Sequence, residues 1–326
     1  MVSIKSLLVY FITLYLWMPS GYCSDDDLSE NARPKADLLQ NKLNTMMQNT
    51  ASWLDNMSHY DFADTENTEV NTKEDRKKMA KEARSASANG YLQLSWLPRT
   101  GDLDDVDAKF KVYFNLPEWS ERLALVIDND DEDELLLDYE TDNSPTDQLG
   151  VNVALQYMKQ FNSKWKIKNR IGVSRKQLYL RSEMQFNGKV QDLTFRIQPR
   201  LDYFLQDGWG PSVKGVVNYP LEKGYFSLSA SWQKMQNEAR SRRKVGFYHI
   251  KSTGSEQLLV TGVQYSKSNN KLDISNEHYI LSTRYRNLIY KSWMYFEIEP
   301  FIEFNQLNDF RREAGIAFNL ISYYGN

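Results

Sequence analysis

Cysteine is almost missing from this chain. Of 326 residues only Cys23 carries a thiol, and it lies at the end of a leader-like segment. A mature chain without that segment has no disulfide to staple a small secreted scaffold. It must be held by a large core or by a closed network of backbone hydrogen bonds. Histidine is nearly as scarce, with His59, His249 and His278 making up the set of three. The chain has no GxSxG elbow, no HExxH pair, no metal-spaced Cys/His cluster and no phosphate-cradling glycine loop. No catalytic residue, cofactor or metal site is therefore expected. Beyond the leader no apolar run approaches the roughly 18 residues of a membrane-crossing helix. Basic excess is absent as well: the formal charge is −3, and loss of Lys5 takes it to −4. That balance gives no nucleic-acid partner.

What is present starts with the leader. Residues 1–23 have the order of a secretory signal peptide. Lys5 supplies the positive end, 7–18 is densely apolar, and Pro19-Ser20-Gly21 breaks the run before Asp25, Asp26 and Asp27. Gly21 and Cys23 are the small residues at −3 and −1 of the expected cut. An uncleaved anchor would need about 20 apolar residues, more than this segment has. Acylation of Cys23 is disfavoured by the bulk of Tyr22 just before it.

Residues 24–89 form a separate region. Within 34–57, Leu39, Leu43, Met46, Met47, Trp53, Leu54 and Met57 recur at three- and four-residue steps, which predicts an amphipathic helix. Pro34 suits its first turn. Residues 61–89 are polar and charged and predict a linker. The helix is expected as a periplasmic extension, with a luminal plug or a docking site for a periplasmic protein as alternatives.

From Gly90 the hydrophobic period changes from helical to two. The alternation predicts about 14 strands, with 12 as the lower bound: 90–97, 107–116, 121–128, 148–158, 163–174, 177–187, 192–205, 212–220, 224–235, 244–252, 257–266, 278–288, 293–305 and 312–322. Every second connection is short, and the others, 174–176 excepted, are longer or more polar. Short turns alternating with long loops over an even strand count are the pattern of an antiparallel transmembrane β-barrel in an outer membrane. Low mean hydropathy, 20 Tyr and 8 Trp fit a wall that shows lipid only alternate residues. The lipid bilayer and lipopolysaccharide are then the expected surroundings. Arg240, Arg242, Arg243 and Lys244 are expected either to meet lipopolysaccharide phosphates or simply to form a solvated loop. Pro199 and Pro300 each fall inside a strand and predict a bulge or kink.

The closing strand carries Glu313-Ala314-Gly315-Ile316-Ala317-Phe318-Asn319-Leu320. Its Gly315, Phe318 and Leu320 resemble the insertion signal read by the outer-membrane insertion machinery. Together with Glu121-Arg122-Leu123-Ala124-Leu125-Val126-Ile127-Asp128, with Trp293-Met294-Tyr295-Phe296-Glu297-Ile298-Glu299-Pro300, and with Trp53-Leu54-Asp55, the chain resembles a widespread group of uncharacterised proteobacterial outer-membrane β-barrel proteins. The resemblance implies location and fold and nothing catalytic.

The inward set of such a barrel is charged. Lys166, Lys168 and Arg170 share one face with Lys164; Arg181 and Glu183 share the next. Arg196, Arg200 and Asp202 follow, and Arg284 and Arg286 lie opposite Glu297, Glu299 and Glu303 in the last hairpins. Opposed basic and acidic walls suggest a narrow channel for small polar solutes. A paired ion network filling the lumen is the plainer alternative. The run Asp128, Asp130, Asp131, Glu132, Asp133, Glu134 has oxygen ligands for a hard cation but lacks the spacing of a calcium loop. A lipid hydrolase would need a His–Ser pair, for which His249 with Ser252 and His278 with Ser282 are the choices. A non-enzymatic barrel is the expectation.

Overall fold

The computed structural model of the chain describes residues 33–56, 87–101, 103–117, 122–129, 151–174, 177–236, 241–254, 256–269 and 275–325. The leader, residues 57–86 of the linker region, and the acidic run beyond Asn129 lie outside the described residues. Among the described residues one α-helix, α1 (Arg33–Asn56), precedes fourteen strands. These are β1 (Ser87–Trp96), β2 (Val106–Asn115), β3 (Leu123–Asp128), β4 (Asn152–Gln160), β5 (Trp165–Ser174), β6 (Gln177–Val190) and β7 (Leu193–Phe204). Next come β8 (Gly208–Leu221), β9 (Gly224–Lys234), β10 (Ser241–Gly254), β11 (Gln257–Asn269), β12 (Ser275–Tyr290), β13 (Met294–Asn305) and β14 (Arg312–Tyr324). Each strand pairs antiparallel with its sequence neighbours, and β1 pairs with β14 from Gly90↔Tyr324 to Trp96↔Phe318. The sheet therefore closes and leaves no edge strand, which is what a bilayer requires of a strand-built span.

Alternation decides which face is which. Leu92, Leu94 and Trp96 of β1, Ile171 and Val173 of β5, Leu178 and Leu180 of β6, and Val213 and Val217 of β8 are all exposed. The intervening residues point inward and are polar or charged, among them Ser95, Arg170, Arg181 and Glu183, and they are buried. A soluble barrel has the reverse arrangement. Each large apolar side chain left in water would forgo about 1.5–3 kcal/mol of burial, so a whole outer band of them is stable only against lipid. The molecule is a membrane-spanning β-barrel.

The end at which β1 begins and β14 finishes has tight turns, such as 191–192, 222–223 and 291–293. The opposite end has the longer connections, 97–105, 129–151 and 270–274, with 175–176 and 205–207 as exceptions. The last of these corrects the expected loop 206–211. Gly210 pairs with Asp202 and Pro211 with Leu201, so that stretch belongs to the ladder. Arg242, Arg243 and Lys244 likewise sit in β10 and not in a loop.

The bulges expected at Pro199 and Pro300 do not form. Register is identical on both sides of each proline: Glu183↔Arg200 and Phe186↔Ile197 in one case, Ser282↔Phe301 and Tyr285↔Ile298 in the other. On the opposite flank Pro199↔Val213 and Pro300↔Ile316 stay paired. A proline forfeits its own ladder donor, and here a local gap absorbs that loss without a shift.

Helix α1 lies outside the barrel at the turn end. Leu43, Met47, Ala51 and Leu54 pack against Ala88, Val112, Phe114, Leu116, Leu125 and Tyr324. Ala88, Val112 and Phe114 share the outward parity of Leu92, through the pairs Ala88↔Phe114, Gly90↔Val112 and Leu92↔Phe110. The polar edge of the helix meets strand ends. The Gln48 side chain bonds both the carbonyl and the N–H of Ala88, at 3.3 and 3.4 Å, just where β14 has run out as a partner. Asn44 accepts the N–H of Gly325 at 3.3 Å. Asp37 pairs with Lys291 in the β12–β13 turn at 2.8 Å. The helix thus follows the rim across the closing seam, and the luminal-plug alternative is set aside for these residues.

Candidate functional site

The charged residues of the inner wall are placed by strand parity and brought together by register. Across β5 and β6, Lys168 faces Glu183 and Arg170 faces Arg181; across β6 and β7, Arg181 faces Asp202, Glu183 faces Arg200, and Asn187 faces Arg196. Arg181 Nε donates to Asp202 at 2.7 Å, and Arg200 reaches the other carboxylate oxygen at 2.9 Å. Lys168 lies 3.2 Å from Glu183. Arg170 turns the other way and donates to Gln156 of β4 at 2.7 Å. Arg196, nearer the turn end, is exposed and donates to Asn187 at 3.1 Å. Lys166 sits between these layers, half-buried.

A second network spans β12 to β14. Arg284 meets Glu299 at 2.8 Å, and Arg286 pairs with Glu297, which also accepts from Asn319 at 3.1 Å. Glu303 holds His278 at 2.9 Å and Arg99 of the β1–β2 loop at 3.3 Å, and Arg99 in turn holds Asp105 at 3.0 Å. Tyr248 of β10 crosses the backbones of Gly246 and Gly262, where any side chain would collide with its ring, and donates to Gln264 at 2.9 Å.

Exposure orders these charges by depth. Glu297 retains 2% of its side-chain surface while Arg286 keeps 21%; Glu299 retains 2% against 12% for Arg284. Glu183 at 5% lies under Lys168 at 26%, and Glu303 at 5% lies under Arg99 at 15%. Lys111 covers Asp128 in the same sense at 3.6 Å. In each pair the cation keeps more exposed surface than its carboxylate. Cations also predominate in number on β5 to β8. There Lys166, Lys168, Arg170, Arg181, Arg196, Arg200 and Lys214 are met by Glu183 and Asp202 alone as inward carboxylates among the described residues.

Lys214 is an inward charge, like Lys111, that the alternating pattern alone did not single out. It is 1% exposed and opposite Gln198 and Ser231. Its signal was a lone lysine between Val213 and Val216, at a parity fixed by outward Val213 and Val217. Asp128 is engaged by Lys111 and by Asn152 at 3.0 Å, which takes the first carboxylate away from the cation-binding alternative. The two His–Ser pairs also separate. His249 points outward beside Phe226, at 5.0 Å between rings, while Ser252 bonds the carbonyl of Gly254. His278 bonds Glu303, four residues along from Ser282.

The residues resembling an insertion signal cluster on the seam. Gly315 faces Phe301 across the pair and leaves room for its ring in the lumen. Phe318 stacks outward on Trp96 at 5.3 Å, and Leu320 continues the lipid face.

Comparison with known proteins places the fold among outer-membrane barrels. The loop-deletion form of OmpT, an outer membrane protein of Vibrio cholerae, superposes with a TM-score of 0.53 at 8% identity, over 74% of this chain and 99% of that one. The outer membrane channel DcaP of Acinetobacter baumannii covers 74% of this chain and 97% of its own at a TM-score of 0.48 and 6% identity. At such identities the likeness is one of fold. No protein-family model matches the chain, and no curated protein matches it either.

Proposed function

We propose that this outer-membrane barrel is a non-enzymatic, narrow channel for small polar solutes, with a lining that favours anions. The observation that carries the reading is the layering of charge. Carboxylates are sunk against the wall under Arg286, Arg284, Lys168 and Arg99, so the surface a solute would meet is cationic. A lining of one sign raises the local concentration of counter-charged solutes and selects among them. Export by a signal peptide cleaved after Cys23, and insertion through Gly315, Phe318 and Leu320, belong to the same reading. Lipopolysaccharide would then border the long-loop end.

The test is conductance of the purified protein in planar bilayers under a potassium chloride gradient. Stepwise conductance with a reversal potential of the sign for chloride preference is expected. The variants Lys166→Glu and Arg196→Glu, whose side chains are not fully buried, should move that potential toward cation preference. A silent bilayer, or cation preference in the unsubstituted protein, would sink the reading.

A further inference from the structure

Helix α1 has a wider apolar arc than the wall it covers. Stepping round it at 100° per residue, one passes Gln48, Asp37 and Asn44 on the polar edge, then Ala51, Met47, Leu54 and Leu43 on the wall. Beyond Leu43 come Met46 and Trp53, which are 68% and 60% exposed. The polar edge is pinned to the strand ends by Ala88, Gly325 and Lys291. The opposite edge, carrying Met46 and Trp53, therefore looks up and outward, toward the exposed band of Leu92, Leu94 and Trp96 on β1. Thr50, which interrupts that arc, donates its hydroxyl to the carbonyl of Met46 at 2.8 Å. Its polar group is thus spent inside the helix, as an apolar setting requires. Lys42, exposed next to this stripe, can lay its stem along it and hold its ammonium at headgroup level.

We propose that α1 is an in-plane membrane helix, half docked on the barrel seam and half immersed in the periplasmic leaflet, with phospholipid as the occupant of the Met46–Trp53 stripe. Continuity with the lipid-facing wall is what commits the stripe to lipid. Helices of this amphipathic build rest at the boundary between headgroups and acyl chains, and tryptophan concentrates at that level. The inference stands apart from channel activity, since α1 lies outside the lumen.

The test uses the full chain with Cys23→Ser, refolded into phosphatidylethanolamine–phosphatidylglycerol vesicles. An environment-sensitive fluorophore is attached in turn at Met46→Cys, Trp53→Cys, Asn41→Cys and Ser52→Cys. Labels at 46 and 53 should be blue-shifted, quenched by nitroxide lipids and shielded from iodide, while those at 41 and 52 should be open to iodide. Equal iodide quenching at all four sites would overturn the proposal. So would a disulfide from Trp53→Cys to a second copy, or its capture of a periplasmic protein in cells. Because both residues avoid the wall, the double variant Met46→Asp, Trp53→Asp should leave the barrel folded on gels. It should also expose α1 to protease in vesicles, and unchanged protection would equally overturn the proposal.

Discussion

On the β1 side of the seam the strands are short: β1 and β2 have ten residues each, β3 six and β4 nine. Farther round the barrel β6, β8 and β10 have 14 and β12 has 16. Ladder length alone would make the first sector the weak side of the cylinder. It is also where the molecule adds material from outside the ladder. Helix α1 covers the outer wall at one end of the seam. At the other end the β1–β2 loop is tied along β14, where Ile316 N–H donates to Pro98 at 3.0 Å and Thr100 N–H to Ala314 at 2.9 Å. Among the described residues the long-strand sector has no such cover, and it carries the Arg181–Asp202–Arg200 cluster on its inner face. Luminal charge pairs occur on both sides of the closed sheet, and the first sector adds external packing to them.

The contrast can be broken from either side. The largest effect is expected at Asp202, which is fully buried between two arginines. Asp202→Ala would strand both guanidiniums and should cost about 3–5 kcal/mol, read as a lower urea midpoint in vesicles. In the seam, Gly90 is nearly as intolerant. A β-carbon there would run into the Lys111 carbonyl and the Tyr324 ring. Gly90→Val should therefore cost about 3 kcal/mol, whereas Gly215→Ala on β8, where nothing lies within 4 Å, should stay within about 0.5 kcal/mol. Equal effects at the two glycines would erase the distinction between the sectors. Next, Ala51 is fully buried on the wall-facing side of α1. Ala51→Asp should cost about 2 kcal/mol of docking, seen as faster amide exchange in α1 with the barrel strands unchanged.

The smallest effect concerns the exposed Lys291–Asp37 pair. The hydrogen bond from Lys291 holds the Asp37 carboxyl below its ordinary value of 3.8, and the same bond raises the Lys291 ammonium above 10.5. The carboxylate's contribution is complete above its unfolded value and fades as pH falls through the folded one. The lysine's contribution is complete below its unfolded value and fades as pH rises through the folded one. Helix protection should therefore be flat from mildly acidic to mildly basic pH and slip at both extremes. Lys291→Met should abolish the slip, as followed by amide exchange against pH.

The sequence already contained the fourteen strands, because outward residues such as Leu193, Ile197 and Leu201 must alternate to meet lipid. Strand ends were less legible. β6 runs on to Val190, β8 starts at Gly208, and β12 spans Ser275–Tyr290, all beyond the stretches where one face is apolar. Outside the hydrocarbon layer both faces are polar, so the period vanishes while the hydrogen bonds continue. Inward charges such as Glu297 and Arg286 were legible from parity, but their order in depth was not, since it depends on which side chain folds over which. The docking of α1 was hidden for a related reason. An amphipathic stripe announces that a face is buried and says nothing about the surface that buries it.

Tyr324 carries one more consequence. It lies across Gly90 and donates to the Lys111 carbonyl at 3.0 Å, so the last turn of the sequence supplies a part of the wall next to its first strand. Bringing those ends together across almost the whole barrel costs about 5 kcal/mol of loop-closure entropy. The pairing of β1 with β14 therefore carries the largest closure cost of any contact in the ladder, and Gly90 and Tyr324 sit at the point where that cost is met.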